Sequence, residues 1–154
     1  MDNDEILEIL KTTSELEKNL HSFYGLYAAA FKEDRHLWEM LSQDAEGHHA
    51  SIVTISQYAQ EGKFPGDFSH PYIEDLKKAA GHINKYLSLY AQNMPDKKNA
   101  YMRAYDIASG VHAAYLRGIM DTAESMEMTP GSYNIFLKLC SDTKDNAARI
   151  KKTL

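Results

Sequence analysis

The chain has 154 residues, 44% of them hydrophobic and 25% charged, and a formal net charge of −5. One domain of that composition can bury a core, which excludes a disordered chain, and the acidic balance leaves no basic surplus for a nucleic-acid backbone. A single cysteine, Cys140, excludes a disulfide framework, a zinc ribbon or a rubredoxin-like iron site, and no apolar run approaches the roughly 20 residues that cross a bilayer, so no membrane partner is expected.

The N-terminus, Met1-Asp2-Asn3-Asp4-Glu5, is acidic where a secretory signal would be basic and then apolar, which predicts a cytoplasmic protein. Asp2 and Glu5 are spaced as a capping box with a carboxylate in the hydroxyl's place. Apolar or small residues recur at Ile6, Leu10, Thr13, Leu20, Tyr24, Tyr27 and Phe31, the steps of one helix seam. Lys32-Glu33-Asp34-Arg35 interrupts it and permits a short helix–helix turn. A second seam takes Trp38, Ser42, Ala45, His49, Ile52, Ser56 and Ala59, and the tract from Glu61 to Asp67 reads as a loop. Pro71 opens a shorter helix to about Asn93, with Ile73, Leu76, Ala80, Ile83, Leu87 and Tyr90 apolar. Pro95 precedes a long helix over about 98–127, and Thr129-Pro130 starts a last one that runs to the C-terminus. No alternating β pattern occurs. The expected fold is a single all-α domain: two helical hairpins, about 2–61 and 97–153, joined by a crossover over 62–96 that carries its own helix.

The chemistry starts with what interrupts the seams. Glu17 falls on the first stripe, while Glu46 and His49 lie three apart on the second and project to nearly the same side. A buried ionised carboxylate costs several kcal/mol unless it is paired or binds a metal. Two carboxylates and an imidazole converging inside a bundle suit iron or manganese. Against this stands a solvated stripe-edge position for each glutamate. A competing stripe through 41, 45, 48, 52 and 55 would also turn His48 inward instead of His49.

Glu17 followed by Tyr24, with Glu46-x-x-His49 on the next helix, resembles the rubrerythrin branch of the ferritin-like superfamily. The resemblance implies a ferritin-like four-helix bundle with a helical crossover between its second and third helices. It implies iron, or another divalent metal, at Glu17, Glu46 and His49, with His21 or His112 completing the set, and a redox or peroxide-related role. Rubrerythrins draw electrons from a rubredoxin domain that one cysteine cannot build, so a separate electron-transfer partner would supply them. The superfamily commonly pairs its bundles, which makes a homodimer the expected assembly.

In that family the two hairpins descend from an internal duplication, and its trace is legible. A shift of 91 places His21 on His112, Tyr24 on Tyr115 and Leu20 on Val111. A shift of 98 places Trp38 on Phe136, Leu41 on Leu139, Asp44 on Asp142 and Ile52 on Ile150. The same alignment sets Ala108 opposite Glu17, Lys144 opposite Glu46 and Ala147 opposite His49, so the second half lacks all three expected ligands. That departure counts against paired iron and limits the expectation to one ion per chain, or none. The Lys144 ammonium, facing Glu17 and Glu46, would then stand in for the second metal.

Three functions follow. The first is a partial metal site with redox character, and the second a metal-free degenerate bundle serving as a binding or assembly module. The third, phosphotransfer on His48 or His82, lacks the Lys-Gly or Lys-Ser that such domains carry after their histidine. His21 and His112 otherwise read as hydrogen-bonded core histidines, the tyrosines and methionines as packing, and Cys140, opposite Ser42 in the repeat, as an inert buried thiol.

Overall fold

The computed structural model describes residues 3–61, 70–123 and 130–154. Five α-helices follow in order: α1 (Asn3–Ala30), α2 (Arg35–Gln60), α3 (His70–Gln92), α4 (Lys97–Ala123) and α5 (Pro130–Lys151). A 3-10 turn at Lys32–Asp34 joins the first two, and no strand occurs among the described residues. The boundaries fall at the breakers. Pro71 lies in the first turn of α3 and Pro130 is the first residue of α5. Asp96 caps α4, its carboxylate accepting the Asn99 amide N–H at 2.9 Å. The capping box expected at Asp2, the loop beyond Glu61 and the Thr129 cap lie outside the described residues.

Side-chain partners give the helix directions. Ser14 meets His49 and His21 meets Ser42, so α1 and α2 are antiparallel. Tyr27 meets Ala100 and Glu17 meets Tyr115, which sets α4 antiparallel to α1. On α3, Lys77 reaches Glu8 and Asn84 reaches Asn19, so α3 runs alongside α1 in the same direction. The packed pairs are α1–α2, α2–α5, α5–α4, α4–α3 and α3–α1, which close a ring. The segment expected as a crossover therefore packs its helix against both α1 and α4, while Tyr27 and Phe31 of α1 still meet Tyr101 of α4 directly. Ile73, Leu76 and Ile83 bury the inner face of α3, and Tyr90 lies against Phe23 and Tyr27.

Aromatic residues fill the interior between the helices. Trp38, Tyr27, Tyr101, Tyr115, Phe23 and Phe136 are all less than 2% exposed. Each such side chain contributes about 1.5–3 kcal/mol of apolar burial, provided that its polar tip is satisfied. Tyr27 donates its hydroxyl to the Ala100 carbonyl, and Trp38 donates its indole N–H to Tyr101 at 3.2 Å. Tyr101 in turn donates to Asp34 at 2.6 Å, tying the α1–α2 turn to the start of α4.

On α2 the buried positions include Trp38, Leu41, Ala45, His48, Ile52, Ile55 and Ala59, alternating steps of three and four. The middle of the seam read through His49 and Ser56 is thus corrected to His48 and Ile55. The reason is area: turning Leu41 and Ile55 inward buries more apolar surface than turning Ser56 and His49 inward.

The duplication extends to the packing. Positions 9, 10, 13, 16, 17, 20, 23 and 24 of α1 are buried, and so are all eight positions 91 residues later on α4. Positions 38, 41, 42, 45, 48 and 52 of α2 are buried, and so are all six positions 98 residues later on α5. A specific contact repeats too. His21 Nδ1 lies 2.9 Å from the Ser42 carbonyl oxygen, and His112 Nδ1 lies 3.2 Å from that of Cys140. The equivalent histidines hold equivalent carbonyls in the two hairpins.

Candidate functional site

Glu17 is 1% exposed, held inside the ring by a stripe that otherwise carries Thr13, Leu20 and Tyr24. Each of its carboxylate oxygens has a protein partner. Tyr115, reaching in from α4, donates its hydroxyl to Oε1. His48, from α2, sets Nδ1 3.5 Å from Oε2. The other ring nitrogen, Nε2, lies 2.7 Å from Oδ2 of Asp142 on α5. Lys138, one turn before Asp142, brings its ammonium to that same oxygen. The result is a chain of alternating charge, carboxylate–imidazole–carboxylate–ammonium, from the centre of the ring to the surface.

A carboxylate oxygen lies 2.7 Å from Nε2 and another 3.5 Å from Nδ1, a setting that favours the imidazolium form. Burial works against that cation, but hydrogen bonds and charge from Glu17 and Asp142 outweigh it and hold the His48 pKa above the ordinary histidine value. Burial likewise works against the Asp142 anion, and Lys138 and His48 reverse it, so this carboxyl stays below the usual carboxylate range. Burial first, and the Glu17 charge second, push the Tyr24 phenol far above its ordinary pKa and keep it neutral. Burial also pushes the Cys140 thiol up to about 11, which makes it the inert thiol expected.

The predicted site residues separate. Glu17 is buried as expected, but Glu46 is exposed to solvent, and His49 is half-buried with Nδ1 at 2.9 Å from the Ser14 carbonyl oxygen. One residue is about 100° of helix, so the rotation that turns Ala45 and His48 inward carries Glu46 out. Lys144 is also exposed, which corrects its expected place between Glu17 and Glu46. His21 and His112 are half-buried and hold the Ser42 and Cys140 carbonyls. The donor set does not fit a metal ion in this arrangement: Glu17 is engaged on both oxygens and Glu46 points away. Among the described residues no group of three or more His, Cys, Asp or Glu is placed to hold an ion.

The groups that replace the expected set are His48, Tyr115, Asp142 and Lys138. The competing stripe through 41, 45, 48, 52 and 55 was the signal for His48, and the match of Asp44 with Asp142 the signal for the acid. Lys138 sits four residues before Asp142, the spacing of a helical ion pair. At the outer end of the chain a cleft of about 250 Å³ opens between α2 and α5, with Asp44, Gly47, His48, Lys138, Leu139 and Asp142 in its lining. An imidazole between an inner and an outer carboxylate can pass a proton between the core and this cleft. Compared with family models, with curated proteins and with solved structures, the chain matches none.

Proposed function

We propose that this chain is a ferritin-like bundle whose polar layer is closed by protein groups, and that it works without metal as a binding or assembly module. The observation that carries the reading is the clamp on Glu17. Tyr115 and His48 occupy the two oxygens that a metal layer would use. The fold assignment is supported by the repeated packing of the two hairpins and by the directions of α1, α2 and α4. Its binding face is the α2–α5 cleft, where the charged chain reaches the surface. A homodimer belongs to the same reading, since Val53 and Tyr58 leave apolar surface exposed on α2.

Elemental analysis of protein purified without chelators tests it. Iron and manganese should stay far below one per chain, and Glu17→Gln should leave their content unchanged. An ion near one per chain that Glu17→Gln removes would overturn the reading in favour of a partial site at Glu17, Glu46 and His49. That site would carry the redox or peroxide role, with electrons from a separate partner. Light scattering that gives only a 17.5 kDa species would count against the dimer.

A further inference from the structure

We propose that Arg103 and Lys85, at the α3–α4 seam, form a docking site for an acidic segment of a partner protein, one that sets a carboxylate beside an apolar side chain. The site shares no residue with the clamp on Glu17 or with the α2–α5 cleft, and it depends on neither.

The chain has four arginines, and three of them are ion-paired: Arg35 with Glu39, Arg117 with Asp75 and Arg149 with Asp44. Arg103 is the exception. It is half-buried, and its guanidinium lies over the ring of Tyr86 from α3, 4.2 Å from the centroid. It also comes close enough to Tyr27 for its charge to oppose the rise that burial imposes on that phenol. Nε is buried and has no hydrogen-bond partner, the single such side-chain atom among the described residues. No carboxylate among the described residues pairs with this guanidinium. Asp106, one turn along α4 at a spacing that permits a helical ion pair, is exposed and does not reach it.

A guanidinium stripped of water on one edge loses hydration that an anion or another acceptor can restore. Stacking on the Tyr86 face offsets part of that loss but engages none of the five N–H donors. Lys85 brings its ammonium to 5.2 Å from the centroid of the same ring, so two cations share one tyrosine. Both attract an anion, and the planar fork of an arginine matches a carboxylate through two parallel hydrogen bonds. Leu89 makes that carboxylate part of a protein. It stands one turn after Tyr86 on α3 and is 50% exposed. A free ion would leave this side chain in water, whereas a peptide with an apolar residue next to its acid covers it. Tyr86 already holds the arginine head in place, so little side-chain freedom remains to be lost on binding.

NMR of the full chain at pH 6 tests the site, with an acetylated and amidated Leu-Glu-Glu-Leu peptide as probe and Leu-Gln-Gln-Leu as control. The acidic peptide should move the Arg103 Nε–Hε and Tyr86 ring signals saturably, and the control should not. Arg103→Lys keeps the charge and removes the fork. It should weaken binding by about tenfold or more, the loss of one charge-assisted hydrogen bond. Should that variant not fold, Lys85→Met and Leu89→Ser alter exposed positions, and each should weaken binding several-fold. No saturable shift, an equal shift with the control, or wild-type affinity in both exposed-site variants would overturn the proposal. So would inorganic phosphate at matched ionic strength giving the same shifts in wild type and Leu89→Ser, which would make this a site for a small anion. Asp106→Asn moving the Arg103 signal of the free protein as far as saturating peptide does would also overturn it, since the arginine would then be paired within its own helix. Metal content does not enter this test, so it fails separately from the reading of Glu17.

Discussion

The two hairpins share one packing plan and differ in what the plan encloses. At the matched position of the first helix, α1 carries Glu17 and α4 carries Ala108, and both are 1% exposed. At the matched position of the second helix, α2 carries His48 and α5 carries Asn146, both buried. The first half thus keeps a buried acid and its imidazole, whereas the second has replaced them with a methyl group and a neutral amide. The difference shows that the same two packing positions accommodate either an acid with its imidazole or a methyl group with a neutral amide. It also shows how a single buried carboxylate is tolerated. Glu17 draws its partners from three other helices, Tyr115 from α4, His48 from α2 and, through His48, Asp142 from α5.

The largest test of the comparison removes the central imidazole. His48→Ala leaves Glu17 buried without its cation and should destabilise by roughly 3–5 kcal/mol in urea unfolding at pH 6. The matched Asn146→Ala loses only a hydrogen bond with Arg149 and should cost about 0.5–1.5 kcal/mol. The cost of His48→Ala should shrink as pH rises through the raised His48 value, because the wild type loses that stabilisation there. Equal losses in the two variants would break the contrast between the halves.

The converse test builds the acid into the half that lacks it. Ala108→Glu should cost about 3 kcal/mol or more, since a buried carboxylate would meet Asn146 where Glu17 meets His48. Adding Asn146→His should recover part of that loss below pH 6.5 and little above it. An Ala108→Glu chain as stable as the wild type would mean that the interior is wetter than the burial of this position implies. A smaller effect is expected of Tyr115→Phe, which removes a donor to a charged acceptor and should cost about 1.5–3 kcal/mol in the same assay. The smallest belongs to Lys144→Met, a change at an exposed position that should stay within about 0.5 kcal/mol. The place expected for Lys144 from sequence, as a buried counter-ion, would have required a loss several times larger.

Much of this architecture was legible before any coordinates. Helix boundaries follow from local chemistry: Pro71, Pro95, Pro130 and the Lys32–Arg35 break act on their immediate neighbours. Seams and the repeat were readable because periodicity and shift are properties of spacing alone, and the shifts of 91 and 98 relate most of the buried positions of the two hairpins, with exceptions such as buried Ile6 on exposed Lys97. Glu17 could be set on the first stripe for the same reason, but a solvated stripe edge competed with the interior, and its burial was decided by the packing. The partners of Glu17 could not be placed. His48 and His49 are adjacent in sequence, and only the summed burial of Leu41 and Ile55 against neighbouring helices decides which of them turns inward. The role of α3 was equally hidden: its apolar face is evident in the sequence, but not that this face would pack against α1 and α4 together. Spacing along one helix determines which residues share a face, whereas the rotation and neighbours of that face are set by the whole ring, through surface buried between segments far apart in the chain.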